Sequence, residues 1–256
     1  MTGRLALLRL GAKYAYAWRG DVVIAWLSSA LVMLAAAGTW HAAARAGGED
    51  PRVATTWVVL AWAVSRVTSS RLDDNLAQRW RSGQVATDLL KPIGLVSWLL
   101  WRDAGRALAT LVVIGAPLVL LGAALGPLAL HGGVVSALGF LLSLSLGVIT
   151  GGALAICVGV AAARSGQGQG IVGLKEVLVP LISGALVPHA MLPDGVARAL
   201  SWLPTAGLAT VPAAWWMGGP RPVAALALQA VWAVVLCALA ELSWRRATQS
   251  LTVVGG

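Results

Sequence analysis

Charge is scarce in this chain. Lys and Arg number 19 and Asp and Glu 10 among 256 residues, so charged side chains make up 11% of the sequence, against about 25% in an ordinary soluble domain. Together with 58% hydrophobic residues and a mean hydropathy of +0.80, that shortage excludes a soluble fold. Several uncharged windows of helix length would each have to be buried on every face, and a domain of this size has too little interior for that. Cysteine is scarce as well. Cys157 and Cys237 each sit inside an apolar run, so neither a disulfide framework nor a cysteine metal site is predicted. The three histidines, His41, His131 and His189, fall in separate loops or span ends with no partner at ligand spacing, and no metal site is read there. No nucleophile, base and acid constellation stands out, so no catalytic residue is assigned. No cleavable leader is predicted, because basic residues interrupt the N-terminus up to Arg19; the first span is read as retained.

The net charge is +9, which in a soluble domain would raise nucleic acid as a partner. Here Lys and Arg stand beside apolar runs, where they set orientation, and no nucleic acid is predicted. Residues 3–19 place Leu5, Leu8, Ala12, Ala15 and Tyr16 near one face and Arg4, Arg9, Lys13 and Arg19 around the others. That pattern predicts a helix lying at the membrane interface, with 1–20 as its bounds. Val22 to Ala44 is uncharged and long enough to cross a hydrocarbon core of about 30 Å; Trp18 and Trp40 anchor its ends. A second span is predicted from Val53 to about Ser70, with Arg66 in its last turns, either snorkelling to the interface or lining a pathway. No charge occurs from Ala107 to Ala163, room for two spans, 107–125 and 134–160, with Gly126-Pro127 and His131-Gly132-Gly133 between them.

The loop Arg164 to Gly170 is glycine-rich, yet no Gly-Lys-Ser/Thr follows and no strand precedes it, so it reads as a flexible turn rather than a phosphate cradle. A fifth span over 171–187 carries Lys175 and Glu176, placed to reach the interface or to pair across a subunit contact, and kept as pathway or gate candidates with Arg66. The segment 188–222 is interrupted by Pro193, Pro204, Pro212 and Pro220. Counting it as a crossing would throw Arg245 and Arg246 to the side opposite the other basic loops, so it is read as an outer re-entrant pair of short helices packed against the bundle. Trp215 and Trp216 on that element belong to the aromatic belt or contact substrate. A last span runs from Val223 to about Leu242. The predicted layout is an all-α integral membrane protein of one transmembrane unit, residues 1–256, with six spans and both termini cytoplasmic.

The polar island of the chain is Arg71 to Arg106. Asp73 and Asp74 favour a helix start, and the helix is predicted to run to about Leu90, where Pro92 bars its continuation. Val85, Leu89 and Leu90 share a face ringed by Arg79, Arg81 and Asp88. A short amphipathic helix of this kind suits docking into a groove on another protein, or lies on the bilayer surface.

Arg81-Ser82-Gly83-Gln84 followed by Asp88-Leu89-Leu90-Lys91-Pro92, together with Ser183-Gly184-Ala185-Leu186-Val187-Pro188, Leu192-Pro193 and Leu203-Pro204, resembles the type 2 ABC transporter permeases. One departure is that Gln78, Arg79 and Arg81 stand where many members carry an acidic residue before the loop glycine. The resemblance implies a permease subunit of an ATP-driven exporter in a prokaryotic inner membrane. It implies no cofactor in this chain, with ATP and Mg held by a separate ABC ATPase, and a second permease chain, like or unlike, completing the pathway. It also implies that Arg81, Gly83, Gln84, Val85, Asp88, Leu89, Leu90 and Pro92 form the coupling helix that meets the ATPase. Two other classes stay open: an ATP-independent carrier or channel, and a membrane scaffold. An interior poor in charge suits an amphipathic or lipid-like molecule or a peptide better than an ion.

Overall fold

The computed structural model describes residues 2–15, 19–85, 87, 94–129, 132–165, 168–217 and 222–249, and among them every regular element is helical. Its frame is a single long helix, α7 (Val134–Ser165), with small residues every fourth position on one face: Gly139, Ser143, Gly147, Gly151, Ala155 and Gly159. Residues four apart stack on one side of a helix, so this row is a groove in which other backbones lie close. From one end to the other it receives the Trp215 ring at Gly139, the Gly207 carbonyl at Gly147, the Thr68 carbonyl at Gly151 and the Asp73 backbone at Gly159.

The remaining helices are arranged around that row. Helix α1 is Thr2–Ala15, α2 is Arg19–Gly47 and α3 is Pro51–Thr68. Asp50 caps α3, accepting from the Arg52 N–H at 2.9 Å, and Pro51 stands where the missing N–H costs nothing. Most of α3 is buried, with Val58, Val59 and Ala61 at 0–1% exposure, so it runs through the middle of the bundle. It stops at Thr68; Ser69 is extended, and the chain restarts as α4 (Leu72–Arg81) along the second half of α7. Helix α5 (Leu95–Thr110) passes through a π-helical turn at Leu111–Gly115 into α6 (Ala116–Leu125) without a break. Helix α8 is Gly168–Ile182 and α11 is Val223–Gln249.

Among the described residues, four helices are long and apolar enough to cross a membrane: Gly20–Gly47, Leu95–Leu125, Val134–Ser165 and Val223–Gln249. The protein is a multi-pass membrane protein. Helices α3 and α8, predicted as the second and fifth spans, are not among the four: α3 carries Arg52 and Arg66 within 18 residues, and α8 has only 15.

One sequence expectation is corrected and two are extended. The polar island is not one helix to Leu90, because α4 ends at Arg81 and Gly83 sits at φ +72°, a left-handed conformation that glycine alone adopts without strain and that closes a helix. The helix that holds the predicted third span is longer than the uncharged run from Ala107. It starts at Leu95, and Arg102, Asp103 and Arg106 have partners within the bundle: the Arg102 guanidinium stacks 5.5 Å over the Trp98 ring, and Arg106 pairs with Asp103 at 2.6 Å. Finally, α1 does more than rest on a surface. Gly11 lies against the backbone of Arg102 and Arg106, Gly105 lies against that of Leu8, and Arg4 stacks 5.6 Å over the Trp101 ring. A side chain on either glycine would collide with main chain, so α1 is fastened to α5.

The proline-rich region contains a 3-10 turn at His189–Met191, α9 (Asp194–Ser201), a second 3-10 turn at Pro204–Leu208 and α10 (Thr210–Met217). Eight residues of α-helix rise about 12 Å, so neither α9 nor α10 crosses a bilayer. The irregular backbone between them is satisfied by side chains of the bundle. Thr68 Oγ1 donates to the Leu208 carbonyl at 2.8 Å, Gln229 Nε2 donates to those of Gly207 and Ser143 at 2.8 Å each, and Trp232 Nε1 donates to that of Trp202 at 2.9 Å. At the other end, Trp40 and Trp57 donate to the carbonyls of Leu186 and Gly184. Non-helical backbone within a membrane bundle needs such internal partners.

Candidate functional site

The break between α3 and α4 leaves carbonyls at a helix end that no backbone N–H takes. Two cations supply the missing donors. Arg106 of α5 donates to the Val67 carbonyl at 3.2 Å, and Lys175 of α8 donates from Nζ to the Ser70 carbonyl at 2.8 Å. Each brings a carboxylate with it. Arg106 Nε meets Asp103 Oδ1 at 2.6 Å, and Lys175 Nζ meets Asp73 Oδ2 at 2.5 Å, with Asp73 1% exposed. Positive charge at the C-terminal end of α3 and the Asp73 carboxylate in the first turn of α4 both follow the helix dipoles. Ser70 Oγ accepts from the Leu72 N–H at 3.2 Å and completes the restart.

Beside the break lies a cavity of about 480 Å³. Its charged wall is Arg66, Arg71, Arg106, Lys175, Glu176 and Asp21; its apolar wall includes Trp62, Val22, Ala25, Ile114, Val179 and Pro180. Arg66 stacks at 6.0 Å from the Trp62 ring centre, and its buried Nε has no hydrogen-bond partner. Trp62 is itself held by donating to the Ser29 carbonyl at 2.9 Å. The π-helical turn adjoins the cavity through Ile114, and such turns recur at functional sites.

Of the five pathway or gate candidates, Arg66, Lys175 and Glu176 come together here. The expectation that Lys175 reaches the interface or a subunit contact is corrected, because it is paired inside the chain with Asp73. Trp215 and Trp216 lie elsewhere. Trp215 is buried on Gly139, and Trp216 packs edge-on to Phe140 at 5.4 Å beside an apolar groove of about 360 Å³ floored by Leu60 and Val64. A larger apolar groove of about 600 Å³ runs between α5, α7 and α11 and holds one carboxylate, Glu241, which pairs with Arg245 at 2.7 Å.

Of the coupling candidates, Arg81, Gly83 and Gln84 are exposed on the turn after α4, whereas Val85 is 3% exposed in a cluster with Leu72, Leu76, Leu99 and Trp244. Asp88, Leu89, Leu90 and Pro92 lie outside the described residues, as do Trp18 and His131. Sequence reasoning missed Asp73, Asp103 and the serine break as parts of the site. The available signal was Lys175 itself, since an ammonium in an apolar helix requires a counter-ion, and few carboxylates in the chain were at hand to serve.

A family model described as ABC-2 family transporter protein matches residues 52–255. No curated protein and no solved structure matches the chain.

Proposed function

Because the chain belongs to the ABC-2 family of transporter proteins, we propose that it is the permease subunit of an ATP-driven exporter, powered by a separate ATPase. The observation that carries this reading is that one family match, over residues 52–255, takes in the stretch Arg81 to Pro92 and the lining of the charged cavity apart from Ala15, Asp21, Val22 and Ala25. In this reading α3 and α4 form one broken crossing and α8 another, which with the four long helices makes six. The termini face the cytoplasm, where most basic loop residues then lie. The turn at Arg81 to Gln84, with Asp88 to Pro92 after it, meets the ATPase, which holds ATP and Mg. A second permease chain, identical or related, faces this one.

The mechanism follows from the break. A continuous helix transmits a push along its axis, whereas α3 and α4 are joined by three non-helical residues, Ser69 to Arg71. Movement of α4 by the ATPase therefore need not drag α3 with it. Asp73 and Lys175 tie α4 to α8, so the pair moves as a unit relative to α3 and changes the width of the cavity. The result is a shift between inward-open and outward-open populations.

The reading is tested by copurification from native membranes, followed by reconstitution. An ABC ATPase in stoichiometric amount is expected, with ATP hydrolysis that Leu89→Asp with Leu90→Asp uncouples from the permease. Unaltered coupling in that variant overturns the docking role. The ionisable groups at the break are also what an ATP-independent carrier would require; transport that persists without any ATPase would favour it.

A further inference from the structure

The charges of the cavity are not equivalent. Asp73 is held by Lys175 and Asp103 by Arg106, which leaves Arg66 and Arg71 facing Asp21 and Glu176 across the cavity. Asp21 and Glu176 are exposed at its rim and keep their water. Arg66 is different: it is half-buried and its Nε is buried with no hydrogen-bond acceptor, while Arg71 beside it is exposed. A guanidinium carries five donors and no acceptor of its own, and a buried donor without a partner is costly. The inner end of the cavity therefore wants an acceptor that the chain does not supply. Anionic oxygens on a planar or tetrahedral group match the guanidinium fork best.

The opposite wall is apolar, formed by Val22, Ala25, Ile114 and Val179. Helices α2 and α8, which both line the cavity, expose Ile24 and Leu27 and Leu174 and Val177, side chains that in a membrane meet lipid tails. A molecule lodged between α2 and α8 thus has apolar side chains along its body and the guanidiniums of Arg66 and Arg71 for its head, with Asp21 and Glu176 also on the lining. The Arg66 end is the deeper, at its buried Nε. Resting on the permease reading and deepening it, we propose that this cavity binds an anionic amphiphile, its phosphate or carboxylate head on Arg66 and Arg71 and its apolar body between α2 and α8.

The test uses the full-length chain in neutral maltoside micelles, with no ATPase present. Dodecyl phosphate should raise the thermal midpoint saturably, while dodecyltrimethylammonium and inorganic phosphate should not. The half-saturating concentration should rise at least tenfold in Arg66→Gln and in Arg71→Gln, fall between the parent and the glutamine variant in Arg66→Lys, which keeps the charge but not the fork, and be unchanged in Arg198→Gln on α9. Because the charge-keeping and the remote variants carry the control for folding, the larger loss of binding in the glutamine variants locates the head. Competition by phosphatidylglycerol identifies bilayer lipid as the source of the head group; its failure to compete identifies a single-chain amphiphile. Equal response to the ammonium probe, equal potency of inorganic phosphate, or unchanged half-saturation in both glutamine variants overturns the proposal. The export reading stands or falls separately, on the ATPase: a phosphate-dependent shift with no ATPase partner would leave the site and remove the exporter, and a coupled ATPase with no shift would do the reverse.

Discussion

Lys175 and Asp73 hold the break in place. Asp73 is 1% exposed, and its partner ammonium also donates to the Ser70 carbonyl, so the ammonium serves both a buried charge and a carbonyl of the non-helical link. Removing one partner of a buried pair typically costs about 3–5 kcal/mol, whereas removing both costs less, since no uncompensated charge remains. Lys175→Met is therefore expected to lower the unfolding free energy by about 3–5 kcal/mol, and Asp73→Asn added to it should recover part of the loss. A double-mutant cycle in denaturant titration checks this; strict additivity of the two changes would mean that the contact carries no coupling.

At the scale of elements, the small-residue row of α7 decides where everything else lies. The Thr68 carbonyl occupies the space a side chain at Gly151 would need, so Gly151→Val must displace the end of α3. Gly173 on α8 is the contrast, since a methyl group there would have nothing within 4 Å. Gly151→Val is expected to destabilise by about 1–3 kcal/mol or more, as overpacked sites do. Gly173→Ala is expected to stabilise by up to about 1 kcal/mol, through helix propensity. Thermal midpoints of the two variants compare them directly; equal effects would show that the row is not a packing surface. The corrected end of the polar island is also an element-scale matter. Leu89 and Leu90 continue the apolar spacing, but Ser82 and Gly83 intervene, and a glycine that closes a helix overrides periodicity beyond it.

For the whole molecule, the proline-rich region tests the topology. With α9 and α10 at eight residues each, the segment enters the bundle as far as Thr68 and returns, so its two ends are expected on one side. Single cysteines placed at Asp194 and Arg221, in a background with Cys157 and Cys237 replaced, should both react with an impermeant maleimide from outside. Labelling at only one would mean that the segment crosses and that the chain has an odd number of spans.

The membrane class, the long apolar helices and the proline-interrupted element were legible in the sequence, because each follows from local composition: length without charge sets a span, and prolines spaced closely cannot share one helix. Arg66, Lys175 and Glu176 stood out for the same reason, as charges where the solvent is apolar. Which charges meet is a different matter. Asp73 and Lys175 are far apart in the chain, and they touch only because Gly159 lets the start of α4 lie against α7 while α8 folds back beside it. Composition alone thus determined that this protein lives in a membrane and roughly where it is helical; only the tertiary structure decided that the break between α3 and α4 is buried against α7 and held by Arg106 and Lys175, and that Arg66 lines a cavity there, since a counter-ion is chosen by distance in space, not by spacing along a chain.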